Sequence, residues 1–260
     1  MQLKNSYYFF KEALSPENCQ KIIDLGISKI ESAKSTGKDV SATTVGDNHK
    51  QGLEAKGFRA NPQNDITNQE LITEHGISEN DLEKARYIRD SEVSWLNDQW
   101  LYDLVYPYLH DANDNAGWKY EFSCSESFQF TKYGINQFYG WHADGSGDWP
   151  ARYKRAIPGV TPQDSNGMYP KGFSTDQGMI GKVRKLSMTI NLNKPGEYEG
   201  GNLKFDFGPH SSGKRYHECE EIRPQGSIII FPSFIYHQVT PVTKGTRYSL
   251  VLWTLGQPFK

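Results

Sequence analysis

The apolar and polar positions at the start of the chain follow a helical pattern. A short aromatic run at residues 7–10 predicts a strand. Ser15 followed by Pro16 then indicates the start of a helix, because Ser caps helix N-termini and Pro is well tolerated at the first helical position. Apolar residues recur at helical spacing after Pro16, so the pattern predicts a first helix that ends near residue 33.

A second helix is expected further along the chain, beyond a long polar segment. Residues 35–82 are rich in Gly, Asn and Thr, and they predict loops with one strand near residues 40–45. Another strand is expected near residues 86–95. Either Asn97 or Asp98 can cap the helix that follows, which carries a broad apolar face.

From residue 120 onward, short segments of β type are separated by Gly and Pro. We predict strands near residues 120–132, 137–142, 183–192, 202–207, 216–222, 226–231, 235–240 and 247–253. The last segment alternates most regularly, with Arg247 and Ser249 on one face and Tyr248 and Leu250 on the other. This order of elements predicts an α+β, mainly β fold with a jelly-roll or cupin-like double-stranded β-helix core, buttressed by N-terminal helices.

The chain is expected to form a single domain over residues 1–260, because it contains no internal repeat and no recognisable linker. Within it, residues 1–118 would supply helical and strand support, and residues 119–258 would form the core. Residues 145–181 lack a periodic pattern. Loops of this length are functional lids or disordered segments, and we interpret this one as a lid.

Composition narrows the function classes. Lys plus Arg total 29 and Asp plus Glu total 31, so no global charge favours a nucleic-acid or membrane partner. The three cysteines form no CxxC pair, which favours reduced thiols and a cytoplasmic location. No apolar stretch is long enough to span a bilayer, and no signal peptide is expected at the N-terminus.

Three residues stand out as candidate metal ligands. His142 and Asp144 lie two residues apart, so a strand end would place them on one face, and His237 is expected to arrive from an opposed strand. Two imidazoles and one carboxylate form the facial ligand set that holds Fe(II) and leaves positions open for substrates. A His-x-Asp pair occurs often by chance, so this hypothesis requires the three side chains to converge.

Arg247 is the candidate anchor for an acidic cosubstrate. Pro241 and the pair Lys244-Gly245 predict a turn that returns the chain into the strand containing Arg247. A guanidinium on an interior face can grip a carboxylate through two hydrogen bonds, and Ser249 adds a further donor; 2-oxoglutarate would supply that carboxylate. The alternative is an exposed strand arginine with no ligand.

Several sequence blocks carry a family resemblance, and they span residues 120–254 in order. They are residues 133–144 (YGINQFYGWHAD), residues 184–192 (RKLSMTINL), residues 198–205 (YEGGNLKF), residues 226–233 and residues 237–253. In these blocks the chain resembles the Fe(II)- and 2-oxoglutarate-dependent dioxygenases, and among them the prolyl 4-hydroxylase-like branch. Its arginine at the cosubstrate position, Arg247, is similar to that of the bacterial-type members.

The resemblance implies a cofactor set and a role for each matching residue. Fe(II) would be held by His142, Asp144 and His237. The distal carboxylate of 2-oxoglutarate would be bound by Arg247, with Ser249 assisting and Tyr133 contacting the cosubstrate. O2 would be the second cosubstrate, with ascorbate as an accompanying reductant. The reaction would couple oxidative decarboxylation of 2-oxoglutarate to C–H hydroxylation.

The substrate side is less specific. The resemblance places Tyr139 and Trp253 beside the substrate, although packing in the barrel core explains buried aromatics equally well. The lid is rich in basic and aromatic residues, among them Trp149 and Arg152. These residues would suit an extended peptide, whereas a solvated basic loop is the alternative.

These features favour a proline-containing peptide or protein as the substrate. A free amino acid or another small metabolite remains open as an alternative. Nucleic-acid demethylation is disfavoured, because such enzymes usually carry a second arginine where Trp253 stands here. A non-enzymatic jelly-roll binding module is also disfavoured, because it would not need all four residues of the proposed site.

Overall fold

The computed structural model describes residues 5–37, 40, 89–145, 152–163, 169, 172–208 and 215–259. Helix α1 (Pro16–Ser35) begins as predicted, since the side chain of Ser15 accepts a hydrogen bond from the Asn18 backbone N–H at 3.2 Å. Helix α2 (Gln99–Asn115) follows Asp98, which makes no side-chain capping bond. Neither helix in the described part of the chain is long and apolar enough to cross a membrane.

The strands are numbered in chain order through the described residues. They are β1 (Tyr8–Phe10), β2 (Arg89–Asp90), β3 (Glu92–Leu96), β4 (Cys124–Ser125), β5 (Phe128–Tyr133), β6 (Phe138–His142), β7 (Lys154–Arg155), β8 (Phe173–Ser174), β9 (Val183–Asn191), β10 (Tyr198–Gly200), β11 (Leu203–Asp206), β12 (Tyr216–Glu218), β13 (Ile228–Pro232), β14 (Tyr236–Val239), β15 (Val242–Gly245) and β16 (Arg247–Gly256).

Two antiparallel sheets form the β core. The major sheet has seven strands in the order β1-β13-β9-β16-β5-β3, with β4 also paired to β16. The minor sheet has five strands in the order β12-β11-β14-β6-β2. Phe205 of the minor sheet contacts Phe231 of the major sheet, with ring centroids 5.1 Å apart, so the two sheets pack against each other. The predicted mainly β, jelly-roll architecture is confirmed.

One face of the major sheet packs against the two helices. Leu250 of β16 lies opposite Phe130 of β5 and Ile190 of β9, and all three are fully buried in one cluster with residues of α1 and α2. Because side chains alternate along a strand, the residues between them point to the other face. The helices therefore cover the aliphatic face, as the predicted N-terminal buttress requires.

The opposite face of the major sheet, which points toward the minor sheet, is largely polar. Ser249 lies opposite Thr131 and Asn191, and all three are buried. Burying polar groups in a protein interior costs free energy unless they are hydrogen-bonded or bind something. The interior between the sheets is thus suited to a polar ligand.

Several predicted elements require correction. Lys244 and Gly245, where a turn was expected together with Pro241, belong instead to strand β15, which pairs with β10. That pairing was not predicted, because the short β10 carries no alternation of apolar residues. The strand expected over residues 216–222 ends at Glu218 and continues as a 3₁₀ turn over Glu220–Ile222.

The remaining differences concern boundaries and the lid. The strand predicted at 120–132 is divided into β4 and β5. The lid segment 145–181 contains the parallel pair of β7 and β8 within its described part. The strand expected at residues 40–45 lies outside the described residues, apart from Val40. The division at residue 118 stays a prediction. Strands β1 and β3 from the N-terminal part belong to the major sheet, and β2 belongs to the minor sheet.

The contact between α1 and the major sheet can be tested at Gly26. A Cβ at this position would lie 2.3 Å from the Phe130 ring, although Ala is the better helix former. We expect Gly26→Ala to lower the free energy of unfolding by about 1–3 kcal/mol in urea denaturation, since overpacking outweighs helix propensity. Ser28→Ala, on the exposed side of α1, is the control and should change stability little. A more stable Gly26→Ala variant would contradict the close approach.

Candidate active site

Three predicted ligands meet at one end of the minor sheet. His142 is the last residue of β6, and it lies directly opposite His237 of β14 in the antiparallel ladder. Asp144 follows two residues after the end of β6. The strand register therefore brings together two residues that are 95 positions apart in sequence (237 − 142).

The three side chains form a compact cluster. One ligand atom from each lies within 4.8 Å of the others. The two carboxylate oxygens of Asp144 each lie 3.6 Å from an imidazole Nε2, one from His142 and one from His237. No other cluster of three such residues occurs among the described residues.

Backbone carbonyls orient both imidazoles for ligation. The Nδ1 of His142 lies 2.8 Å from the Gly140 carbonyl oxygen, and the Nδ1 of His237 lies 2.9 Å from that of Ile235. We assign the ring proton to Nδ1, which donates to the carbonyl and leaves the Nε2 lone pair directed toward Asp144. This is the tautomer that a metal ligand needs.

The charge states also suit a cation. Burial, with the neighbouring His142, lowers the pKa of His237 to about 4, so this imidazole is neutral at neutral pH. Burial opposes ionisation of Asp144, but the two imidazoles and the Arg184 guanidinium outweigh it and hold the pKa of that carboxyl well below its usual range. The site thus presents a carboxylate and a neutral His237 imidazole, and together with His142 these side chains form the donor set that fits Fe(II).

Arg247 is buried, and the described part of the chain offers it no carboxylate partner. It is only 1% exposed, its Nη1 donates to Ser249 Oγ at 3.3 Å, and its Nε has no hydrogen-bond partner in that part of the chain. No acidic side chain forms an ion pair with it among the described residues. Gly201, at φ +57, makes room for it, since a Cβ there would lie 2.9 Å from Arg247 Cδ.

Aromatic contacts connect Arg247 to the candidate ligands. The guanidinium carbon lies 5.4 Å from the centroid of the Tyr133 ring. Tyr133 shares a small cluster with Tyr139, and the Tyr139 ring stacks on His142 with centroids 3.5 Å apart. Tyr133 and Tyr139 therefore connect the arginine to the ligand cluster, while their roles toward cosubstrate and substrate stay predictions.

The other predicted substrate residues have different outcomes. Trp253 is 5% exposed, and its buried Nε1 has no hydrogen-bond partner among the residues that the structure describes. Arg152 is exposed, and no contact among the described residues places it in the site. Trp149 lies outside the described residues. Their roles toward a substrate stay predictions.

Sequence reasoning missed three buried side chains beside the cluster. Arg184 forms two hydrogen bonds with Glu126, at 2.5 and 2.6 Å. Arg89 is 6% exposed, and its guanidinium carbon lies 4.5 Å from the Tyr139 centroid. Arg184 opens one of the blocks that carry the resemblance, but a pair 58 residues apart has no spacing signal that would reveal it.

The comparison with protein families agrees with this arrangement. Residues 128–255 match the model of the 2OG-Fe(II) oxygenase superfamily, which covers about half of the chain and spans β5 to β16. All three candidate ligands and Arg247 lie within the matched segment. The chain therefore belongs to the 2OG-Fe(II) oxygenase superfamily through residues 128–255.

Named relatives refine the family. A PKHD-type hydroxylase of Xylella fastidiosa (strain M23) is 33% identical over 125 residues, which are 48% of this chain and 42% of the relative. A PKHD-type hydroxylase of Thermosynechococcus vestitus is 39% identical over 87 residues, 32% of this chain and 36% of the relative. The chain thus spans less than half the length of these relatives.

A solved structure is similar over nearly the whole chain. It is the viral collagen prolyl hydroxylase from Paramecium Bursaria Chlorella virus-1 in its 2OG complex, with a TM-score of 0.50 and 16% identity. The match covers 97% of each chain. At this identity the likeness shows the fold alone.

The ligand cluster leads to a binding prediction. Mn(II) serves as a stand-in for Fe(II). We expect the affinity for Mn(II) to fall in each of the variants His142→Ala, Asp144→Ala and His237→Ala. The loss should exceed the roughly 10–100-fold that follows substitution of residues that only orient a metal ligand. Calorimetric titration without oxygen measures the affinity. His110→Ala, which replaces an exposed histidine of α2, is the control. A variant that keeps full affinity would remove its residue from the metal site.

Proposed function

We propose that this chain is an Fe(II)- and 2-oxoglutarate-dependent hydroxylase that acts on proline in a peptide or protein. The assignment of a cosubstrate rests on the buried Arg247, whose guanidinium has no acidic partner among the described residues. A buried guanidinium is costly without an anion, and a carboxylate can accept two of its hydrogen bonds. Its place on the polar interior face supports 2-oxoglutarate as that anion.

The metal would be held by His142, Asp144 and His237. When bound, Fe(II) with 2-oxoglutarate and O2 supplies the oxidising power for C–H hydroxylation, while ascorbate serves as an accompanying reductant. The two carbonyl contacts to Nδ1 keep both imidazoles in the ligating tautomer. Tyr139, stacked on the His142 ring, restricts the rotation of that ligand.

Arg247 and Ser249 would fix the far end of the cosubstrate. The hydroxyl of Ser249 already contacts the guanidinium, so the two side chains form one polar grip at the start of β16. The helix-covered face of the major sheet lies behind this grip and excludes water from that side. The chain's own contribution is therefore ligation, orientation and exclusion of solvent.

Aromatic side chains on the outer face of the minor sheet support a peptide substrate, because alternation along the strands turns them away from the metal ligands and leaves them free to contact flanking residues of an extended chain. Tyr236 directly precedes His237 and is 46% exposed, and Tyr216 is 56% exposed. Trp141 directly precedes His142 and packs on Tyr216, with ring centroids 5.1 Å apart. Aromatic surfaces bind proline-rich segments, whose extended conformation costs little entropy to order. The structural likeness to a collagen prolyl hydroxylase agrees with this substrate class.

A small carboxylate-bearing metabolite is the second candidate substrate. Arg89 supports it, since this second buried arginine is bound only to Ser91 Oγ and Gln129 Oε1 and forms no ion pair among the described residues. Its guanidinium lies against Tyr139, beside the ligand cluster. A free amino acid could place its carboxylate there.

A cytoplasmic location completes the proposal. All three cysteines are free thiols, two of them buried, which agrees with a reducing compartment.

Turnover tests the proposed activity directly. With Fe(II), ascorbate and 2-oxoglutarate, we expect succinate release to rise on addition of proline-rich peptides, and the peptide to gain the mass of one oxygen atom. Free amino acids form the parallel arm, and an increase there alone would favour the second candidate. The Asp144→Ala variant is the control for metal-independent release. Absence of succinate in every arm, from protein that binds the metal, would contradict the proposal.

A further inference from the structure

We propose that Arg184 and Glu126 act together as positioning residues that fix Asp144 as a metal ligand. This inference rests on the proposed metal site, and it concerns residues that need not touch the metal or the substrate. It explains how the main chain that carries this carboxylate is held, which the strand register alone does not.

Asp144 differs from the two histidines in its backbone environment. His142 and His237 pair with each other in the ladder of the minor sheet, so the sheet fixes their main chains. Asp144 lies beyond the last residue of β6 and has no ladder partner. A ligand at such a position requires another constraint, because metal sites depend on ligands placed within a fraction of an ångström.

Two contacts hold the main chain at Asp144. The Nη1 of Arg184 donates to the Asp144 carbonyl oxygen at 3.2 Å. The next residue, Gly145, donates its backbone N–H to the Ser233 carbonyl at 2.9 Å. Arg184 belongs to β9 and Ser233 follows β13, so both contacts attach the ligand segment to the major sheet.

Arg184 is itself held rigidly. Its Nε and Nη2 donate to the two carboxylate oxygens of Glu126, and its guanidinium carbon lies 3.9 Å from the Trp253 ring centroid. Only 12% of the Arg184 side chain and 9% of the Glu126 side chain are exposed. A planar guanidinium with a bidentate carboxylate on one edge and a tryptophan on its face has little freedom to move. The third edge is therefore presented to the Asp144 carbonyl in a fixed direction.

The same geometry distinguishes Arg184 from the two other buried arginines. Within the described residues Arg247 and Arg89 have no acidic partner, whereas all three nitrogens of Arg184 donate to protein oxygens. Arg184 thus contributes to the metal site by holding the main chain at Asp144. Lysine could not replace it, since an ammonium cannot form the bidentate pair and the carbonyl contact in one plane.

Metal affinity tests the inference separately from turnover. Mn(II) is titrated without oxygen into the wild type, Arg184→Gln, Glu126→Gln and the double variant. We expect each single variant to weaken binding by about 10–100-fold, in the range for residues that orient metal ligands. The double variant should lose little more than either single one, because the two residues act as a unit. The visible spectrum of bound Co(II), which reports ligand geometry, should change in the same variants.

Arg215→Gln is the matched control. It breaks another bidentate arginine–carboxylate pair, which joins Arg215 to Asp206 of β11. Its Mn(II) affinity should equal that of the wild type. Circular dichroism and thermal unfolding establish that each variant is folded at the titration temperature, and Arg184→Lys replaces Arg184→Gln if the latter does not fold.

The possible results separate the two proposals. Folded variants of Arg184 and Glu126 with wild-type affinity and an unchanged Co(II) spectrum would overturn the positioning role and leave the metal site intact. Equal loss in Arg215→Gln would also overturn it, because the effect would then be a general loss of buried charge pairs. A wild type that binds no Mn(II), like His237→Ala, would overturn the proposed function itself.

Discussion

The register of the antiparallel strands is the constraint on which both the core and the site depend. Side chains alternate along each strand, so one register sends Leu250, Phe130 and Ile190 to the helices and Ser249, Thr131 and Asn191 to the interior. A slip by one residue would exchange the two faces and bury the polar set against α1 and α2. The aliphatic contact with the helices thus stabilises the same arrangement that directs Arg247 inward. In the minor sheet, the pairing of His237 with His142 makes ligand geometry a consequence of strand pairing.

Buried arginines organise the chemistry of the interior. Three guanidinium groups lie near the ligand cluster, and their surroundings differ. Arg184 is neutralised by Glu126 and holds Asp144, while Arg247 and Arg89 have no acidic partner among the described residues. A buried arginine with a partner has its charge compensated, whereas one without a partner creates a site for an anion. The proposed cosubstrate and the second substrate candidate both follow from this difference.

Much of the fold and the ligand set could be predicted from sequence because the signals are local or regular. Alternation located β16 and placed Arg247 and Ser249 on one face, and the two-residue spacing of His142 and Asp144 anticipated their proximity. The structure differs where partners are distant or patterns are short. The pairing of β10 with β15, the Glu126–Arg184 pair and the inward direction of Arg89 join segments that no spacing rule connects. Residues 145–181 have no periodic pattern, so the pair of β7 and β8 within them could not be foreseen.

The central claim is that one interior site binds a dicarboxylate, with a metal ion at one end of it and Arg247 at the other. The most direct measurement is the affinity of 2-oxoglutarate for metal-free and Mn(II)-loaded protein without oxygen, in the wild type and in Arg247→Gln. The account predicts one site per chain and much tighter binding when the metal is present, since binding of the two is reciprocally coupled. It also predicts a loss of about 10–100-fold in Arg247→Gln, from removal of charge-assisted hydrogen bonds. Equal affinity with and without metal, or an unchanged affinity in Arg247→Gln, would contradict the account.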